Sequence, residues 1–344
     1  MTITVDPYAG FCWGVVRTIR IAEEELARGN ALVCLGDLIH NPQELARLKR
    51  LGLRTVAHED LSGIPPGTKI LVRAHGEPPE TYRRARDLGL EVIDATCPVV
   101  TRLQERIRRY ADEGYQVVIF GKKDHAEVVG LRGVIHDACV VVKNAEEAMR
   151  FVDPHRKTVL FSQTTMDKPT FNAVREAIET LISSSRKTVP NREAVEFQAK
   201  DTICGQVAGR EHKLREFAVS NDVVLFVAGK NSSNGQVLFD ICRKANSRSH
   251  FIEDETEISL SWFEGAERIG ISGATSTPKW LMAHVAESIV RSVIDALPRE
   301  ESKSTQPLPF TIPTTKPLTF SSRNGFEAAV PGRERKTCFT KENE

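Results

Sequence analysis

The feature that most constrains the fold is a threefold internal repeat in which every copy opens on a cysteine. Segments of 29 residues starting at Cys12, Cys97 and Cys204 align without gaps: CWGVVRTIRIAEEELARGNALVCLGDLIH, CPVVTRLQERIRRYADEGYQVVIFGKKDH and CGQVAGREHKLREFAVSNDVVLFVAGKNS. A helical stretch follows each cysteine. Gly29, Gly114 and Asn221 then fall at one offset, and these residue types tolerate the left-handed conformation that ends helices. The runs LVCL, VVIF and VLFV come next, apolar enough for strands buried on both faces, as in a parallel sheet. His40, His125 and Ser232 lie a few residues past these strands, where open α/β sheets bind ligands.

Each third also carries a second strand pattern running into a polar turn: ILVRAHGEPP, TVLFSQTTMDKP and RIGISGATSTPK. A Pro ahead of the next helical pattern is a favourable helix start. These turns place His75, Gln163 with Thr164, and Ser276 beside the first set. A third strand delivers the chain to the next cysteine in EVIDATC and AVEFQAKDTIC, whereas the last third ends in the helix KWLMAHVAESIVRSVIDAL. Its missing strand is expected from TITV at the start of the chain, closing a ring. The expected organisation is three α/β repeats, 14–97, 98–198 and 199–297 with 1–13, followed by a Pro- and Thr-rich tail, 298–344. Six of the 17 prolines fall in that tail, a composition that cannot bury enough apolar surface to order itself.

Composition removes several function classes. Lys and Arg number 47 against 46 Asp and Glu, a formal net charge of +1, so no one-signed field favours nucleic acid or an anionic membrane as partner. No apolar run approaches the roughly 18 residues of a membrane span, and no signal-peptide core follows Met1, so a cytoplasmic location is expected. The sequence has neither GxxxxGK[ST] nor a strand-following GxGxxG, which leaves it without a recognisable nucleotide-binding loop.

The seven cysteines are an odd number, scattered along the chain, which argues against a disulfide framework. Cys34 and Cys139 sit in apolar strand patterns, Cys242 in a helical one, and Cys338 in the tail. Cys12, Cys97 and Cys204 each precede a helix, where the helix N-terminus favours thiolate. Pseudo-threefold symmetry would bring them to one point, and three thiolates there require a cation or a cluster. Zinc with three cysteine ligands, serving a hydrolase, and a four-iron cluster with one open iron are both compatible with this pattern.

The motifs GFCWGVVRTI, LIHN, RAHGEPPE, DATCPVV, KDHAEVVG, FSQTT, KNSSNG and GATSTP, in this order, closely resemble the hydroxymethylbutenyl diphosphate reductase family, iron-sulfur oxidoreductases of isoprenoid biosynthesis by the methylerythritol phosphate pathway. The resemblance covers residues 3–297. It implies a trefoil of three α/β domains around a [4Fe-4S] cluster held by Cys12, Cys97 and Cys204, with the substrate hydroxyl at the open iron. It assigns the substrate diphosphate to His40, His75, His125, Ser232, Ser233, Asn234 and Ser276, any protonated histidine adding charge. It makes Glu127 the proton-delivery residue, with Thr164 between it and the substrate hydroxyl, His125 alongside and Gln163 as a neighbour. Electrons would come from an external ferredoxin or flavodoxin. Val207 and Gly209 depart from the family pattern after the third cysteine, as does Thr275, at a position where small residues are commoner. Rival readings are a cluster-dependent dehydratase and an iron-sulfur sensor that binds a small phosphate ligand.

Overall fold

The computed structural model describes residues 1–188 and 195–296. The segment expected to be a tail, with Cys338, lies outside the described residues.

The chain begins with β1 (Thr2–Val5) and then runs through three similar series of elements. The first contains α1 (Trp13–Ala27), β2 (Leu32–Leu35), α2 (Pro42–Arg50), β3 (Arg54–Val56), β4 (Lys69–Val72), α3 (Pro79–Asp87) and β5 (Glu91–Asp94). The second contains α4 (Pro98–Asp112), β6 (Gln116–Phe120), α5 (Ala126–Gly133), β7 (Cys139–Val142), α6 (Ala145–Phe151), β8 (Thr158–Ser162), α7 (Lys168–Thr188) and β9 (Phe197–Ala199). The third contains α8 (Gly205–Val219), β10 (Val223–Val227), α9 (Ser233–Ala245), β11 (Ser249–Ile252), β12 (Arg268–Gly273) and α10 (Lys279–Ala296).

Three four-stranded sheets result, ordered β3-β2-β4-β5, β7-β6-β8-β9 and β11-β10-β12-β1. Every pairing is parallel. The order is the same in all three once β1, the TITV segment, takes the outer place in the third sheet with Val5 opposite Ile271. Helices cover both faces, which is why β2, β6 and β10 are buried at every residue and read as unbroken apolar runs. In each sheet the chain moves outward one way from β2, β6 or β10 and then crosses back to β4, β8 or β12. The crevice at the C-terminal ends of those two central strands is the topological switch point where α/β sheets hold ligands.

The helix ends follow the sequence with one exception. Gly29 and Gly114 adopt φ of +75° and +81°, as expected. Asn221 stays outside the left-handed region and instead donates its Nδ2 to the Phe217 carbonyl at 2.7 Å, so its side chain satisfies the helix end that the glycines close through backbone shape. Helix α8, the least regular pattern, is nevertheless continuous and buries Val207, Leu214 and Ala218. Cys34 and Cys242 are fully buried, and burial pushes their thiols up to about 12 and about 11. Cys139 is partly buried on the edge strand β7 and is pushed up to about 11 for the same reason.

Candidate active site

Cys12, Cys97 and Cys204 are the N-cap residues of α1, α4 and α8, all in extended conformation and none using its side chain as a cap. Their sulfurs are therefore uncommitted. Each cysteine amide donates to a turn of the preceding third: Cys97 N to the Ala74 carbonyl at 3.0 Å, Cys204 N to Thr164 at 2.8 Å, and Cys12 N to Thr275 at 3.0 Å. Those carbonyls all belong to the second residue after a central strand, so the three hydrogen bonds form a closed cycle. All three cysteines line one cavity. Burial raises the Cys12 thiol, and the neighbouring Cys204 and Cys97 add to that rise, while first-turn amides oppose it. Cys204 is raised in the same way, by burial first. A methyl group on Gly14 would stand 3.0 Å from Cys97 Sγ and 3.9 Å from Cys12 Sγ. The absence of a side chain there keeps a cradle open between two sulfurs.

The cavity has about 110 Å³ of free volume and is partly open to solvent. The switch points place His40, His75, His125, Thr164, Ser232, Ser233, Asn234 and Ser276 on its wall. The histidines gather with ring centroids 5.1, 5.6 and 5.3 Å apart. His75 lies far below the ordinary histidine range because of burial, followed by the effects of His40, His125 and Arg73. Burial and then His40, Lys122 and Arg73 lower His125 to about 3, and burial and then Arg73 lower His40. Burial thus favours the neutral form of all three rings. His125 Nδ1 accepts the Glu127 amide at 3.2 Å, so its Nε2 carries the ring proton and acts as a donor.

Glu127 is 1% exposed. Its Oε1 accepts the Thr164 amide at 2.7 Å, and its Oε2 pairs with the Thr164 hydroxyl at 2.6 Å. Burial raises its pKa to about 7 against the opposing effect of both Thr164 contacts. Gln163 has a supporting role: Oε1 accepts from Lys122 N at 3.0 Å and Nε2 donates at 2.6 Å to Thr165, which lines the cavity.

In the third sheet, Ser232 caps α9 by accepting the Gly235 amide at 3.0 Å and lies 3.2 Å from the Ser276 hydroxyl. Asn234 and Thr275 are joined by two hydrogen bonds. Buried His40 Nε2, His75 Nδ1, Ser233 Oγ and Asn234 Nδ2 lack any partner, although buried polar atoms are normally satisfied. All four belong to residues that line this one cavity. Val207, which has no hydroxyl to offer, also lines it, as do Val15, Val99 and Val100. Thr275 and Arg73 escaped sequence reasoning as site-shaping residues. The position of Thr275, two residues after a strand like Thr164, was the available signal.

Three similar parallel sheets that bring three free thiols, a buried acid raised to about 7 and unpartnered polar atoms to one cavity define an α/β enzyme-type site for a small molecule. The chain belongs to the LytB protein family, which matches residues 3–290. A 4-hydroxy-3-methylbut-2-enyl diphosphate reductase of Chloroherpeton thalassium is 43% identical over 309 residues, covering 84% of this chain and 96% of its own. The enzyme of the same name from Bacteroides fragilis is 47% identical over 291 residues, covering 83% and 97%. The solved structure of an (E)-4-hydroxy-3-methyl-but-2-enyl diphosphate reductase, described as the terminal enzyme of the non-mevalonate pathway, superimposes with a TM-score of 0.62 at 34% identity, covering 85% of this chain and 100% of that one. The Plasmodium falciparum E-1-hydroxy-2-methyl-but-2-enyl-4-diphosphate reductase shares the fold with a TM-score of 0.73 at 21% identity, covering 90% and 95%.

Proposed function

We propose that this protein reductively removes the allylic hydroxyl of (E)-4-hydroxy-3-methylbut-2-enyl diphosphate, giving isopentenyl diphosphate and dimethylallyl diphosphate. Substrate, two electrons and two protons become either product plus water. The observation that carries the reading is the convergence, in one cavity, of three uncommitted thiols, an acid raised to about 7 and four unpartnered polar atoms.

Cys12, Cys97 and Cys204 would hold a [4Fe-4S] cluster, which supplies the electrons and an electrophilic iron with no protein ligand. The spacing of the sulfurs supports this over zinc. A single zinc holds its sulfurs within about 3.8 Å of one another, whereas among the described residues the set of potential ligands whose donor atoms all lie within 4.8 Å is His40, His75 and His125, not the cysteines. The fixed tautomer of His125 makes that histidine set an anion cradle rather than a metal trap.

In this reading, His40, His75, His125, Ser232, Ser233, Asn234 and Ser276 hold the diphosphate through N–H and O–H donors, aided by the N-terminus of α9. Bulk positive charge is unnecessary. Glu127 holds the proton for the departing hydroxyl. When protonated on Oε2 it donates to Thr164 Oγ1, which turns the threonine's own hydrogen toward the cavity. Carbon-bound protonation then yields either isomer. Val15, Val99, Val100 and Val207 line the cavity and would cover the hydrocarbon part while excluding water.

Without a nucleotide-binding loop, electrons arrive from an external carrier, ferredoxin or flavodoxin, in a cytoplasmic setting. Of the three domains proposed from the repeat, 14–97 ends on Cys97, 98–198 begins directly after it, and 199–297 with 1–13 carries Cys204 and Cys12. Anaerobically prepared protein, given reduced viologen and the hydroxylated diphosphate, should release both isomers. Protein with a full complement of iron that forms neither product would overturn the proposal.

A further inference from the structure

We infer that Thr275 is a positioning residue for the diphosphate subsite, fixing the side-chain amide of Asn234 so that its NH2 group faces the substrate. The inference rests on the diphosphate reading of this cavity.

Asn234 Oδ1 receives two hydrogen bonds from one residue, from Thr275 N at 2.9 Å and from Thr275 Oγ1 at 2.7 Å. A flipped amide would set its NH2 against the Thr275 N–H, an obligate donor, and lose that contact, so the backbone partner determines the orientation and the hydroxyl, donating to the same oxygen, reinforces it. The NH2 group is left without a partner although Asn234 is only 4% exposed. A donor buried in this way is costly unless a ligand uses it.

The second third contains the same device with an acid in place of the amide. Thr164 gives its amide and hydroxyl to the two oxygens of Glu127 at 2.7 and 2.6 Å. Glu127 and Asn234 each stand thirty residues after the cysteine that opens their third, and Thr164 and Thr275 each stand two residues past a central strand. The corresponding residues of the first third are Pro42 and Ala74, which can make no such clamp. The repeat has therefore used one threonine clamp twice, once to hold a proton carrier and once to orient a neutral donor. Thr275 is also the residue whose carbonyl takes the Cys12 amide, but that contact belongs to the backbone and survives a side-chain replacement.

The test uses Thr275→Val, which keeps the β-branched shape and removes the hydroxyl, and Thr275→Ser, which keeps the hydroxyl. Each is prepared anaerobically as holoprotein beside the wild type, with iron content, KM, kcat and affinity for inorganic diphosphate measured. Loss of one orienting hydrogen bond should weaken inorganic diphosphate about five- to tenfold in Thr275→Val and raise KM similarly. The value of kcat should stay within about twofold, since the proton carrier is untouched. Iron content should be unchanged, and Thr275→Ser should restore wild-type affinity. Wild-type affinity in Thr275→Val, or equal weakening in Thr275→Ser, overturns the positioning role. Iron loss in Thr275→Val overturns it in favour of a structural role at the Cys12 turn. A wild-type holoprotein that does not bind inorganic diphosphate overturns the diphosphate reading itself, and the Thr275 assignment falls with it.

Discussion

Thr164 spends both of its donors on one carboxyl group, its amide on Glu127 Oε1 and its hydroxyl on Oε2, at 2.7 and 2.6 Å. The two contacts favour the ionised acid, yet burial outweighs them and leaves Glu127 at about 7. A carboxyl that both holds a proton near neutral pH and is hydrogen-bonded to a hydroxyl on the cavity wall is suited to general acid work.

Turnover should therefore fall as pH rises through about 7, with the slope of a single proton, as Glu127 ionises. Glu127→Gln should remove that limb and lower kcat by about 10² or more, while iron content and affinity for inorganic diphosphate remain. A pH profile of kcat with reduced viologen checks this. The same group affects stability. Its folded pKa is raised from 4.5 to about 7, so its contribution is fully present below about 4.5 and is lost as pH rises through about 7. Denaturation of Glu127→Gln and wild type across that window should show the difference closing at low pH.

The opening between Cys97 and Cys12 depends on Gly14, whose added methyl would press on Cys97 Sγ at 3.0 Å. Gly14→Ala should retain the fold by circular dichroism and bind substoichiometric iron. Cys97→Ser should lose iron more completely. Full iron occupancy in both variants would sink the assignment of the three sulfurs as ligands.

The loop after β10 approaches the His40 backbone so closely that a methyl on Gly229 would overlap the His40 carbonyl oxygen, with Pro42 Cδ at 3.2 Å. Gly229→Ala should push the first and third thirds apart at the histidine cradle. KM is expected to rise about tenfold, equivalent to about 1.4 kcal/mol, with iron retained. Steady-state kinetics and iron analysis on the same preparation separate the two effects.

Gly209 lies inside α8 with open space around the place where a Cβ would go. Gly209→Ala should stabilise the protein by about 1 kcal/mol through helix propensity. That corresponds to a Tm rise of roughly 2 °C, measurable by calorimetry of the anaerobic protein.

Much of this architecture is written in local pattern. Three buried strands, three helices opening at cysteines and the residues past the strand ends are legible because each depends on neighbours a few positions away. The edge strands β3 and β11 were less legible, being short and partly exposed. Asn221 shares an offset with two glycines but closes its helix through a side-chain bond to Phe217, an alternative that residue type alone does not separate from a left-handed turn. The charge of the histidine triad was also not legible. A lone histidine titrates near neutrality, and it is burial in the assembled cavity, followed by neighbouring positive groups such as Arg73, that lowers all three rings.

The sequence by itself determined the repeat, the parallel α/β units, the three cysteines and the family. Those properties follow from periodicity and residue chemistry at fixed offsets. Only the tertiary structure decided that each cysteine amide is held by a turn that follows a central strand, that burial raises Glu127 to about 7, and that Thr275 bonds Asn234. These are relations between residues 23 to 263 positions apart. Their strength comes from exclusion of water in the assembled cavity, which no local pattern encodes.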